Sequence, residues 1–248
     1  MTRQTLIAGN WKMNGSRDQA SALAGGIATG SEGATAEVLL CPPFPYLALV
    51  GEQIGNSKVA LGAQNLSQHD HGAFTGETSA SMLLDSGCAY VIVGHSERRE
   101  FYAEDSALVA EKARVAAAAG LRPIVCVGET LEARESGRTE QIIDAQLAPV
   151  FAHRAADYGE LVIAYEPVWA IGTGKTASPE QAQDVHAFIR RALSGWDDKL
   201  AERTRILYGG SVKPDNAAAI MSMTDVDGGL VGGASLDVES FVAIINAV

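Results

Sequence analysis

Residues 90–127 read YVIVGHSERREFYAEDSALVAEKARVAAAAGLRPIVCV. The stretch opens on a short apolar run, Tyr90 to Val93, and closes on another, Pro123 to Val127, both rich in the β-branched residues that suit strands. Between them Ser106 to Ala119 has the pattern of an amphipathic helix, closed by Gly120. Strand, helix, strand is the unit of a parallel sheet, because parallel neighbours need a crossover long enough to hold a helix.

The unit recurs along the chain. Further apolar runs lie at Thr5 to Ala8, Glu37 to Cys41, Val59 to Ala63, Leu161 to Ala164, Arg205 to Tyr208 and Gly228 to Val231, which makes eight in all. Ser178 to Leu193 reads as another crossover helix, with Ser178 able to cap it and Pro179 suited to its first turn. Eight such units in 248 residues favour an α/β fold closed as a single-domain (β/α)8 TIM barrel over residues 1–248. An open, doubly wound sheet is the rival, and periodicity alone does not separate the two. No Pro/Ser-rich linker, charge block or low-complexity tract marks a domain boundary. The longest irregular stretch, Asn65 to Glu77 (NLSQHDHGAFTGE), is long enough to be a loop with its own task.

Composition narrows the function. Hydrophobic residues make up 47% and charged ones 20%, the balance of a packed globular chain. No apolar run nears the roughly 18 residues of a membrane span, and the N-terminus leads straight into a strand-like segment, so a cytoplasmic protein is expected. A formal charge of −11 opposes nucleic-acid and anionic-membrane partners, which would meet a repulsive field. Any anionic substrate must then be held by local groups. Cys41, Cys88 and Cys126 are scattered and without CxxC spacing, so they read as reduced, largely buried thiols rather than a disulfide framework or a zinc site.

Chemistry in a parallel barrel collects at the C-terminal ends of the strands. The first run ends in GNWKMN, with Asn10 and Lys12; the fourth in GHSERR, with His95, Ser96 and Glu97; the sixth in YEPVWAIGTGK, with Glu166. One such residue alone is ordinarily solvated or structural. Together they offer a base, a hydrogen-bond donor and a cation at one end of three strands, a set suited to proton abstraction beside a carbonyl. After the seventh and eighth runs come YGGSV, 208–212, and DGGLVGGASL, 227–236. Single glycine pairs are ordinarily tight turns. If Gly232 and Gly233 open a short helix, their amides make a phosphate site of the kind barrels carry after these strands. PVWAIGTGK, with Pro167 at one end and Ala170, Gly172 and Gly174 toward the other, reads as a lid with two hinges. Trp169 within it has no obvious core role.

Two other readings fail on context. Gly172, Gly174 and Ala177 fit a loose dinucleotide fingerprint, but six residues separate Tyr165 from it, and a P-loop would need glycine where Trp169 stands. His69-Asp70-His71 would share a metal-binding face only as a strand, and its polar, glycine-containing surroundings favour a loop. A barrel that has lost catalysis and serves only as a binding partner is a further alternative, against which the intact Lys12, His95 and Glu166 speak.

The segments GNWKMN, GAQN, GAFTGE, GHSERR, CVGE, AYEPVWAIGTGK, YGGSV and DGGLVGGASL, in this order from Gly9 to Leu236, resemble the triosephosphate isomerase family. The resemblance implies a glycolytic and gluconeogenic isomerase without metal or cofactor, interconverting dihydroxyacetone phosphate and glyceraldehyde 3-phosphate. It implies Glu166 as the base and His95 as the electrophile, with Asn10 and Lys12 completing the pocket. Lys12 would supply positive charge for the phosphate and the enediolate. Backbone N–H groups of Gly172, Ser211, Gly232 and Gly233 would hold the phosphate, and Ser96 and Glu97 would support the site. A homodimer is implied too, with loop 65–77 reaching its twin's site near Asn10 and Lys12.

Overall fold

In the computed structural model, which describes residues 3–171 and 176–248, eight parallel strands close into a barrel: β1 (Leu6–Asn10), β2 (Glu37–Cys41), β3 (Ala60–Ala63), β4 (Tyr90–Val93), β5 (Arg122–Val127), β6 (Val162–Tyr165), β7 (Arg205–Tyr208) and β8 (Gly228–Val231). Closure is made where β1 pairs with β2 on one edge and with β8 on the other. Leu6 to Asn10 run beside Glu37 to Cys41, and Leu6 to Gly9 beside Gly228 to Val231. The open-sheet alternative is thereby overturned: the last strand lies against the first and leaves no edge.

The eight expected runs coincide with these strands to within a residue or two at their starts. The first continues to Asn10, which is therefore a strand residue, and the sixth includes Tyr165, so Glu166 follows it directly. Strand burial is continuous because both faces are covered, as a parallel sheet requires. Period-two alternation still sorts the side chains. Leu6, Ala8, Leu39, Tyr90, Ile92, Ile124 and Leu207 fill the barrel interior, while Ile7, Leu40, Val91, Val93, Ile163 and Ile206 pack outward against helices.

The crossover helices start and stop where their residues dictate. Ser106–Ala119 is capped by Asp105, whose carboxylate accepts the Leu108 N–H at 2.8 Å, and is stopped by Gly120 at φ +100°. Its inward face is Val109, Ala110, Ala113 and Ala116. Pro179–Trp196 opens with a reciprocal Ser178–Gln181 capping box and runs three residues past Leu193. No helix among the described residues is long and apolar enough to cross a membrane. The three cysteines are free and buried; burial raises the Cys41 and Cys88 thiols well above their ordinary range.

Candidate active site

The C-terminal rim of β1 carries a strained residue. Lys12 has φ +52°, a left-handed conformation that costs a non-glycine residue on the order of 1 kcal/mol or more. It is held from both sides: the Asn10 side-chain oxygen accepts the Lys12 N–H at 3.1 Å, and Gln64 Nε2 donates to the Lys12 carbonyl at 2.9 Å and to Cys41 O at 2.8 Å. The ammonium reaches Glu97 Oε1 at 2.5 Å.

Beyond β4, His95 caps the short helix Ser96–Phe101. The Glu97 N–H donates to His95 Nδ1 at 3.2 Å, which reserves that nitrogen as an acceptor and leaves Nε2 with the proton. Nε2 lies 2.9 Å from Glu166 Oε1. Glu166, directly after β6, is 2% exposed, and it accepts the Ser96 N–H at 2.8 Å and the Ser96 hydroxyl at 3.2 Å. Burial pushes its carboxyl upward. The charge and hydrogen bond of His95, the Ser96 amide and the Lys12 charge outweigh that and hold it below the usual carboxylate range. For His95, burial opposes the cation, and the adjoining Glu166 carboxylate overrides burial to raise the ring's proton affinity while the two touch.

Glycines supply part of the lining. A cleft of about 880 Å³ is lined by Asn10, Lys12, His95 and Glu166 together with Gly210, Ser211, Gly232 and Gly233. Gly233–Leu236 is a single 3-10 turn, held by Ser235, whose N–H and hydroxyl both donate to Gly232 O at 2.8 and 2.7 Å. Among the described residues no hydrogen bond uses the N–H groups of Ser211, Gly232 or Gly233. A Cβ on Gly232 would lie 3.4 Å from Lys12 Cε, so the lysine stem runs beside these amides and a cation and several donors share one wall.

Asn10, Lys12, His95, Glu97, Glu166, Ser211, Gly232 and Gly233 are thus brought to one cleft, and Ser96 joins them through its bonds to Glu166. Gly172 and the far hinge of the expected lid lie outside the described residues. Trp169 needs correction: it packs against the core, its indole N–H donates to Glu129 Oε1 at 3.0 Å, and the Arg134 guanidinium covers its ring at 4.8 Å. Glu129, 0% exposed, also accepts the Tyr165 hydroxyl at 3.1 Å and pairs with Arg134 at 3.3 Å, so a buried carboxylate ties the strand end to the turn after it. Gln64 and Glu129, which the sequence reading does not single out, lie within GAQN and CVGE, and their place one and two residues past a strand end is the signal that marks them. His69-Asp70-His71 is loop, and the His69 ring stacks on Phe74 at 3.9 Å.

Comparison with known proteins agrees over the full length. The chain matches the family described as Triosephosphate isomerase over residues 5–248. It is 58% identical to the triosephosphate isomerase of Thiobacillus denitrificans over 246 residues, covering 99% of this chain and 98% of that protein. It is 56% identical to the triosephosphate isomerase of Alcanivorax borkumensis over 248 residues, covering 100% and 99%. A similar relation holds to the protein of the same name from Cupriavidus taiwanensis, 56% over 246 residues, covering 99% and 100%. The chain belongs to the triosephosphate isomerase family.

Proposed function

We propose that Glu166 is the base and His95 the electrophile of an aldose–ketose isomerisation in which dihydroxyacetone phosphate and glyceraldehyde 3-phosphate interconvert through an enediolate. The reaction is that of the family, an isomerase step of glycolysis. Glu166 takes a proton from the carbon beside the carbonyl and returns it to the neighbouring carbon, while the carbonyl oxygen gains the negative charge. The observation that carries this reading is the 2.9 Å contact of His95 Nε2 with the Glu166 carboxylate. A carboxylate and an imidazole side by side in one cleft support a proton acceptor and a hydrogen-bond donor acting on one substrate.

Both Glu166 oxygens are engaged by Ser96 and His95, and the base would leave one of these partners to meet a C–H bond. Substrate between His95 and Glu166 would end the contact that raises the ring's proton affinity. Burial and the Glu97 amide at Nδ1 then both favour neutral imidazole, which donates through Nε2 to the developing oxyanion. Lys12 would exchange Glu97 for substrate oxygens. Its charge, with Asn10 beside it and the amides of Gly172, Ser211, Gly232 and Gly233, would hold the phosphate in a protein whose overall charge repels it.

The enzyme is a homodimer formed through loop 65–77. Phe74 in that loop is 42% exposed, and Met13, next to Lys12, is 94% exposed. The loop root is bound to the site by Gln64 on the Lys12 carbonyl and to the helix Ser106–Ala119 by Asn65, whose side-chain oxygen accepts from the buried Lys112 ammonium at 2.8 Å. A twin docked over Phe74 and Met13 would cover both, with the contact made reciprocal by two-fold symmetry. Three unpaired, buried thiols suit a reducing compartment, which supports a cytoplasmic enzyme. The test of the activity is the purified chain with either triose phosphate. Interconversion is expected, and a folded sample with no isomerase activity would return the silent-barrel reading.

A further inference from the structure

We infer that Gln146 is a positioning residue for Glu166, an inference that rests on Glu166 being the base. The backbone hydrogen bonds that carry β5 onward beside β6 skip one residue. Val127 O accepts the Glu166 N–H at 2.7 Å and Glu129 O accepts the Val168 N–H at 3.1 Å, but Gly128 between them gives neither of its backbone groups to that ladder. Its N–H donates to Gln146 Oε1 at 2.8 Å, and its carbonyl accepts from Gln146 Nε2 at 3.0 Å. A side chain from the helix Thr139–Phe151 thus stands where a neighbouring strand would. Glutamine suits the task because a primary amide presents one donor and one acceptor in fixed geometry, which neither carboxylate nor ammonium does.

Gly128 is also the residue against which Glu166 is seated. A Cβ built on Gly128 would fall 1.7 Å from the Glu166 carbonyl oxygen, so the two backbones are in direct contact and no side chain fits between them. Any tilt of Gly128 is therefore passed to the backbone of the base. The helix that holds Gln146 is anchored in the core by Ile143, Leu147 and Val150, which makes it a rigid support on the far side of the contact.

The test is a mutational cycle read by steady-state kinetics. Gln146→Met keeps the stem length and removes both hydrogen bonds. Since a displacement of about 1 Å costs on the order of a hundredfold in rate, a shift of roughly half that predicts a kcat loss of about tenfold, with KM within about twofold. Gln146→Glu keeps the acceptor for the Gly128 N–H but loses the donor to its carbonyl, and a smaller kcat loss is expected. In a Glu166→Gln background the base is absent, and Gln146→Met should then change the residual rate by less than about twofold. An equal tenfold loss in that background, or a risen KM with kcat unchanged, overturns the inference. Parental kcat in Glu166→Gln alone would instead bring down the base assignment, and the role of Gln146 with it. If circular dichroism shows Gln146→Met unfolded, the Gln146→Glu pair of the cycle decides by the same criteria.

Discussion

Replacing Glu166 by Asp retracts the carboxylate by one carbon–carbon bond, about 1.5 Å. In the structure its oxygens lie 2.9 Å from His95 Nε2, 2.8 Å from the Ser96 N–H and 3.2 Å from the Ser96 hydroxyl. The retreat opens these contacts to roughly 4 Å, beyond hydrogen-bond reach. The backbone cannot follow the shortened side chain, because the Glu166 N–H is bound to Val127 O at 2.7 Å and its carbonyl is packed on Gly128. Intrinsic acidity barely changes, from ~4.3 to ~3.9, so the perturbation is one of position. With about a hundredfold lost per ångström, kcat should fall at least roughly a hundredfold, a rise in barrier of about 2.7 kcal/mol. KM should change far less, since Lys12 and the glycine amides beside it are untouched. Steady-state isomerase kinetics on the folded variant supply the measurement. A kcat close to the parent's would show that proton abstraction does not depend on where this carboxylate stands, and another group would have to be the base.

Lys12→Met keeps the stem and removes the cation, leaving Glu97 to face the substrate phosphate. A charge-assisted contact of about 1.5–3 kcal/mol corresponds to at least a tenfold rise in KM with kcat falling as well, and unchanged constants would place the phosphate elsewhere. His186 is fully buried against Tyr165 and Tyr208; burial, only partly offset by the Asp225 carbonyl, lowers it from 6.5 to about 4. The unfolded chain binds this proton and the native one does not, so stability should fall as pH drops from about 6.5 to about 4, by up to on the order of 3 kcal/mol. Denaturant unfolding of His186→Phe should show a shallower acid loss, and an identical pH dependence would refute the assignment. Light scattering should report twice the 25.9 kDa chain mass, and a fully active monomer at micromolar concentration would remove the dimer.

The barrel was legible because its signals are local. A strand buried on both faces must be a continuous apolar run, a crossover helix must repeat its apolar face every three to four residues, and a residue such as Gly120 must end it; all are visible in a few consecutive letters. The candidate site was legible for the related reason that a parallel barrel gathers whatever stands at the C-terminal ends of its strands, so Asn10, His95 and Glu166 stand out as one group in the sequence. Closure was not legible, since the pairing of β1 with β8 joins segments more than two hundred residues apart. The same distance hid the partners of the polar groups. Lys12 finds Glu97, Trp169 finds Glu129, and Gly128 finds Gln146, across separations of 85, 40 and 18 residues. No periodicity encodes such pairs. They follow from which strand ends and helices the closed ring sets side by side, and a buried polar group takes the partner that this packing brings within 3 Å or so.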